Sequence, residues 1–377
     1  MAENADQYKR KGKRPKKTKK KRQIILFAVE IVIIAAMGFA LYTLRDFGKT
    51  PIKRVEFSDN DIEMNEPFQN EESKPETMKG YRNIVLFGVD STSGALTQGT
   101  RSDSIIIVSI NEGTGEVKLV SVYRDTYLNL CGETDKEKYS KCNAAYMYGG
   151  AKQAITMLNK NLDLDITDFV TVGFEGLKAA IDELGGIWID VDSAELRHIN
   201  SYQITMSENL KCSYTPVKEA GYQKLNGLQA VAYCRIRYTK GDDFKRTERQ
   251  REVIQAIIDE ARAADVQTLV NIANKVTGAE AVYTSLEMSE ILELMANVGK
   301  YSIVEEGGFP LEKYRETGKM GSAGDSVLPL DLEKNVIWLH HFLFDDEEYE
   351  VSGTVAEYTQ AIREKIAEYH PNLKYPE

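Results

Sequence analysis

Apolar residues fall along this chain in three regimes. From Ile24 to Leu44 they run almost unbroken (I-I-L-F-A-V-E-I-V-I-I-A-A-M-G-F-A-L-Y-T-L), twenty-one residues with one charge, Glu30. A run of that length crosses a bilayer's hydrocarbon core, so residues 23–44 are expected as a transmembrane helix. Ala36-Met37-Gly38-Phe39-Ala40 offers the small-x-small spacing of a cleavage site, but the apolar run continues past it and exceeds a signal's apolar core. Residues 45–79 are polar and acidic with scattered Pro and no sustained period, the pattern of an extracellular stalk.

The second regime, residues 80–262, alternates short apolar runs with helical periods. Asn83–Asp90, Ile105–Ile110, Val117–Val122, Phe169–Val172 and Ile187–Val191 read as buried strands. Helical spacing places Ala151, Ala154, Ile155 and Leu158 on one face. Further helices are expected at Phe174–Leu184, closed by Gly185-Gly186, and from Leu225-Asn226-Gly227 through Ala232. Thr247–Ala264 carries Val253, Ile254, Ile257, Ile258 and Ala261 on a single stripe. The alternation predicts an α/β fold, a three-layer α/β/α sandwich about a mixed central sheet. In the third regime, residues 263–377, helices are expected at Val266–Val276, Ser289–Val298, Leu332–Phe344 and Val355–Tyr369. Gly307–Pro310 and Lys319–Asp325 read as loops, so this part is predicted as a mainly helical C-terminal extension.

Charge sharpens the membrane reading. The net charge of −10 over 377 residues averages two opposed parts. Residues 1–22 hold eleven Lys/Arg and two Asp/Glu, net +9, and the remainder 37 against 56, net −19. A basic tail before an apolar span predicts a single-pass protein in the cell membrane, with a cytoplasmic N-terminus and an extracellular body. The acidic body speaks against nucleic acid as a partner. All four cysteines (Cys131, Cys142, Cys212, Cys234) lie in the exported part, where disulfides are permitted and three pairings are possible. Cys131–Cys142 would close a short polar loop. No C-x-x-C occurs and the histidines lie elsewhere, which excludes a zinc site.

Candidate chemistry collects at strand ends. Asp90 closes one strand, Arg101 and Asp103 precede the next, and Arg124-Asp125 follows the third. Ligands in α/β proteins gather outside strand ends. Two carboxylates there, Asp90 and Asp103, suit Mg²⁺, which takes few protein oxygens and leaves room for phosphate. Taken singly, Asp90 capping a turn, Asp103 paired with Arg101, and a surface Arg124–Asp125 pair explain the same residues. Between Tyr233 and Arg251 the chain adds Arg235, Arg237, Arg246, Arg249 and Arg251 within nineteen residues. Guanidinium forks hold phosphate oxygens bidentately and keep their charge. The set composes a site for a di- or polyphosphate. A P-loop and a G-x-S-x-G elbow are both missing, and His198 reads as structural.

These motifs (G-V-D at Gly88–Asp90, R-S-D-S at Arg101–Ser104, R-D-T at Arg124–Thr126, N-A-A-Y at Asn143–Tyr146 with Gly149-Gly150, L-N-G-x-Q-A-x-x-Y-x-R-x-R from Leu225, and D-F-x-R-x-x-R-Q at Asp243–Gln250) in this order resemble the LytR–CpsA–Psr family. The resemblance covers about half of the chain, from Tyr81 to Arg262. It implies an extracytoplasmic phosphotransferase that moves a glycopolymer, such as teichoic acid or capsule, from a polyprenyl-pyrophosphate carrier to peptidoglycan. It further implies Mg²⁺ on Asp90 and Asp103, and phosphate contacts from Arg101, Arg124, Arg235, Arg237, Arg246 and Gln250. Arg124 would neutralise the transferring phosphate, and Asp125 or Asp103 would serve as base. The lipid tail would enter an apolar tunnel between sheet and helices, lined by Ala151–Leu158. Arg249 and Arg251 are left to helix-surface or structural roles. Tyr123 stands where the family often has Pro, and Cys142 and Cys234 flank site residues, so a Cys142–Cys234 bridge competes with Cys131–Cys142. Two other functions fit the same residues, a polyprenyl-pyrophosphate phosphatase and a non-catalytic, membrane-tethered lipid-phosphate or glycan binder.

Overall fold

The structure is a computed structural model that describes residues 53–57, 61–90, 96–132, 138–237, 242–278 and 282–376. The expected basic tail and the transmembrane helix at 23–44 lie outside the described residues, among which no helix is long and apolar enough to cross a membrane. In chain order the strands are β1 (Lys53–Arg54), β2 (Tyr81–Val89), β3 (Ser102–Asn111), β4 (Glu116–Val122), β5 (Tyr127–Asn129), β6 (Tyr139–Lys141), β7 (Asp168–Gly173), β8 (Ile187–Val191), β9 (Gly221–Leu225), β10 (Val282–Thr284), β11 (Ser302–Phe309), β12 (Arg315–Met320) and β13 (Gly324–Pro329). The helices are α1 (Asn143–Leu162), α2 (Phe174–Glu183), α3 (Ser193–Asn209), α4 (Gly227–Cys234), α5 (Asp242–Ala263), α6 (Val266–Gly278), α7 (Met288–Ala296), α8 (Leu332–Phe344) and α9 (Gly353–Tyr369).

Seven strands build the central sheet in the order β1-β10-β7-β2-β3-β4-β11. It is mixed: β2 runs parallel to β7 and antiparallel to β3, and β4 runs antiparallel to β3 and parallel to β11. Helices cover both faces, which is why its inner strands read as continuous apolar runs. On one face Val85, Phe87, Ile105, Ile107 and Val120 pack in the main core with Ile155 and Leu158 of α1, Leu339 and Leu343 of α8 and Ile362 of α9. On the other, Ile84, Ile110 and Leu119 meet Ile254 of α5 and Leu294 of α7. A satellite core joins α2, the β8–β9 ribbon, α3, α4 and α5 around Ile181, Ile189, Ile199, Val231 and Val253.

Three expectations need correction. Residues 61–79 do not stand free as a stalk, because Ile62, Phe68 and Met78 are buried in the main core and Asn65 Nδ2 donates to Asp163 Oδ1 at 2.5 Å. Residues 263–377 do contain the four expected helices, but they also supply β10 and β11 to the central sheet and the β12–β13 hairpin. β11 is an edge strand of mostly polar, exposed residues held by backbone pairing to β4, so it leaves no apolar period. All four cysteines carry free thiols. Cys142 lies in the main core, where its Sγ meets the Tyr123 and Arg124 carbonyls at 3.3 Å, while Cys234 lies in the satellite core. Cys131 turns instead toward Tyr358, with Sγ 3.9 Å from its hydroxyl.

Helix α5 is anchored by a buried ion pair. Arg249 Nε donates to Glu195 Oε1 of α3 at 2.7 Å, with side chains 1% and 6% exposed, and Arg249 Nη1 donates to the Ile236 carbonyl at 3.1 Å. Glu195 is itself fixed by the capping box that starts α3, accepting from Asp192 N at 2.9 Å. Glu195→Ala strands the guanidinium in the interior and is expected to destabilise the protein by about 3–5 kcal/mol, read from denaturant unfolding. Unreduced, denatured protein should titrate as four thiols. In the native state at pH 8, alkylation should spare Cys131, Cys142 and Cys234. Burial pushes the Cys131 thiol up to about 11 and that of Cys234 up to about 12, and raises Cys142 further still.

Candidate functional site

Strand direction assembles the site. β2 delivers Asp90 at its C-terminal end, and antiparallel β3 begins with Ser102 and Asp103 at the same edge, Val89 pairing with Ser102. Gly88 leaves room for the Ser104 hydroxyl, which would sit 2.3 Å from a Cβ there and would have to rotate away. β4 returns to that edge and is followed by Arg124, and β7 ends there at Gly173, leading into Phe174. Asn226 and Gln229 form the capping box of α4, which ends at Arg235 and sends Arg237 to the same place. The first turns of α5 add Asp243, Arg246 and Gln250.

The charges interlock. Arg124 Nη1 pairs with Asp103, Nη2 lies 3.8 Å from Asp243 and Nε 3.8 Å from Asp125. Arg237 reaches Asp103 and Asp243, each at 3.7 Å. Arg246 Nη1 is 3.1 Å from Asp243 Oδ1, and its Nη2 donates to the Asp103 carbonyl at 3.4 Å. Arg235 Nη2 donates to Asp90 Oδ2 at 3.0 Å while its guanidinium lies 4.6 Å over the Phe174 ring and 5.6 Å over Tyr202. Lys141 Nζ holds Asp125 at 3.3 Å. Four guanidinium groups thus share Asp90, Asp103 and Asp243, a positive excess that an anion would neutralise.

Arg246 shows the excess most clearly. Its side chain is 3% exposed, and its Nε, like the buried Nε of Arg124, has no acceptor among the described residues. Burial first, and then the Arg124 charge, lower its pKa to about 10, against the pull of Asp243. The group stays charged at neutral pH while its Nε still lacks an acceptor, which is the condition of a receptor for oxyanions. Gln250 Oε1 is likewise buried without a donor.

Below this charged mouth lies a cavity of about 510 Å³. Its walls are Leu86 and Ile106 of the sheet, Leu177 of α2, Val231 of α4 and Val253, Ile254, Ile257 and Ile258 of α5. Asp90, Asp103, Arg235, Arg237, Arg246 and Gln250 form its polar end. The expected lining by Ala151–Leu158 is not found, because Ala151, Ala154, Ile155 and Leu158 are buried in the core on the other face of the sheet. Arg101 is exposed and does not line the cavity, and neither does His198. Arg249 and Arg251 are structural rather than on the helix surface: Arg251 Nη1 donates to Ser121 Oγ at 2.7 Å and Nε lies 3.1 Å from Glu306. Asp243 took no role from the sequence, although its place three residues before Arg246 puts both on one helix face. Tyr202 and Arg315 left no signal. Arg315 stacks 3.9 Å over Phe244 and 4.8 Å over Tyr123 and donates to the Tyr123 hydroxyl at 3.1 Å, joining the neighbours of Asp243 and Arg124.

Among the described residues no group of three or more His, Cys, Asp or Glu could hold a metal ion. Asp90 and Asp103, at neighbouring ends of β2 and β3, are the two carboxylates that a hard cation drawing its remaining ligands from phosphate would use. Arg235 is paired with Oδ2 of Asp90, and Arg124 and Arg237 with Oδ1 of Asp103.

The LytR_cpsA_psr family model matches residues 52–321. The chain belongs to this family. It is 30% identical over 277 residues to the polyisoprenyl-teichoic acid–peptidoglycan teichoic acid transferase TagV of Bacillus subtilis, covering 73% of this chain and 66% of TagV. It is 33% identical over 251 residues to biofilm regulatory protein A of Streptococcus mutans, covering 64% of this chain and 56% of that protein. The chain therefore spans slightly under two thirds of one of these relatives and just over half of the other. In fold it aligns with the LytR-CPS2A-psr family protein YwtF (TagT) with bound octaprenyl pyrophosphate lipid, at a TM-score of 0.53 and 20% identity, over 77% of this chain and 99% of that one. In this LytR_cpsA_psr member, Arg246→Gln is expected to weaken inorganic pyrophosphate about tenfold to a hundredfold in calorimetry, the worth of one buried charge-assisted bond.

Proposed function

We propose that the protein is a membrane-anchored, extracytoplasmic phosphotransferase that moves a glycopolymer from a polyprenyl-pyrophosphate carrier to peptidoglycan. One observation carries this reading: buried arginine donors without acceptors stand at the mouth of an apolar cavity. A ligand that satisfies both ends carries phosphates on a hydrocarbon chain. The names of TagV and its relatives favour teichoic acid as the polymer. Residues 23–44 would hold the body at the membrane outside the cell, where such carriers lie.

In this reading Arg235, Arg237 and Arg246, with Gln250, grip the pyrophosphate, and the prenyl chain lies against Val253, Ile254 and Ile257. Arg124 faces the phosphorus under attack and offsets the charge that grows on its oxygens. Arg101, exposed beside the mouth, is left for the outer phosphate or the polymer. Mg²⁺ held by Asp90 and Asp103 would, when bound, neutralise pyrophosphate oxygens. The acceptor hydroxyl oxygen attacks the phosphorus that bears the polymer and gives its proton to a carboxylate, while the bond from that phosphorus to the bridging oxygen breaks and polyprenyl phosphate leaves. Asp103 and Asp125 are the carboxylates within the site for this role, Asp103 paired with Arg124 and Arg237 and Asp125 with Lys141 and Arg124.

With lipid-linked polymer and peptidoglycan supplied to the full chain, Arg124→Ala is expected to cut conjugate formation about 10²–10³-fold at an unchanged unfolding midpoint. Wild-type turnover in that variant would remove Arg124 from its role. Phosphate release without conjugate, in the presence of acceptor, would identify a phosphatase instead.

A further inference from the structure

Helix α5 has a second functional face. Opposite the residues that wall the apolar cavity, Glu252, Gln255, Ala256 and Asp259 recur at helical spacing, and with the β8–β9 ribbon they line a separate groove of about 520 Å³. At about 1.5 Å per residue, Glu252 to Glu260 lie some 9–21 Å beyond Arg246 along the helix axis. Strand alternation buries Ile187, Ile189 and Val191 and turns Trp188, Asp190 and Tyr222 outward. Trp188 is 43% exposed and Tyr222 71%, and their rings stack at 5.2 Å between centroids and 16° between planes. Two large rings kept in water at the rim of an acidic groove serve neither the core nor the arginine site.

We propose that this groove is a carbohydrate-binding subsite for an uncharged glycan chain. The stacked pair offers a flat, electron-rich platform on which the C–H face of a pyranose packs. Asp190, Glu252 and Gln255 offer acceptors, and the amide a donor, for its hydroxyl and acetamido groups. Five carboxylates line the groove and three of them are paired with cations, so its net charge stays negative and disfavours phosphate-bearing polymers. A cation is disfavoured because Lys224, Arg251 and Arg262 already pair with Glu260, Glu306 and Asp259 at 3.1–3.2 Å. The rings are also stacked flat on each other rather than folded into a cage. The proposal needs no turnover and goes beyond the phosphotransferase reading; where that reading holds, this face would seat the glycan acceptor.

The test is calorimetry on the full chain with a neutral N-acetylglucosamine tetramer and, separately, with oligolysine. The tetramer should bind saturably, and Tyr222→Ala and Trp188→Ala should each weaken it about tenfold. Tyr222 is 71% exposed, so the unfolding midpoint of Tyr222→Ala should not move. Arg124→Ala should bind the tetramer as the wild type does, which separates this proposal from the fate of the phosphotransferase reading. Absence of saturable binding, wild-type affinity in both ring variants, loss of binding in Arg124→Ala, or a response to oligolysine alone would each overturn it.

Discussion

The buried pair of Arg249 with Glu195 governs how everything else is placed. One guanidinium holds the start of α3 through Glu195 and the segment between Arg235 and Arg237 through the Ile236 carbonyl, and it belongs to the helix that carries Arg246 and Gln250. An ion pair away from water tolerates little misplacement, because any slide of α5 leaves a charge unpartnered at a cost of several kcal/mol. The registry of α5 therefore sets the distance between the arginines of the mouth and the apolar wall below them. The arginine that touches no phosphate in the proposed mechanism is the one that positions those that do.

Around that anchor, α5 separates three chemistries by position. Its first turns carry Asp243, Arg246 and Gln250 into an arginine-rich mouth, one side of its middle lines an apolar cavity, and the other side lines an acidic groove with an aromatic rim. The mouth carries electrostatic stress in its ligand-free form. Arg246 is buried among other guanidinium groups, and its pKa is pulled down accordingly. Binding a polyanion relieves that stress, so affinity comes from completing a charge balance as much as from forming new contacts.

The C-terminal third completes this arrangement. β11 pairs with β4 just below Arg124, and Gly308 leaves room for Tyr123, whose hydroxyl would lie 2.1 Å from a Cβ there. Val327 N donates to the Asp125 carbonyl at 2.9 Å, and Arg315 clasps Tyr123 and Phe244. Tyr123 is thus held in place by side-chain contacts with Arg315 and Phe244.

The strands, the principal helices and most of the site were legible in the chain, because each leaves a local trace. Apolar runs mark β2, β3 and β4, helical periods mark α1 and α5, and acids or arginines at run ends mark Asp90, Asp103, Arg124, Arg235, Arg237 and Arg246. What left no trace depends on partners distant in sequence. β11 is largely polar and pairs with β4 through its backbone, the segment at 61–79 has its few apolar residues scattered, and the cysteines lie in different cores. The face of the sheet that holds the cavity also required the fold: α1 and α5 are both amphipathic, and only packing decides which is sealed and which stays open. The sequence by itself determined which groups could bind phosphate, since charge and hydrogen-bonding capacity belong to the residue. The tertiary structure alone decided which of them are buried, partnered or left unsatisfied, since those properties belong to the surroundings.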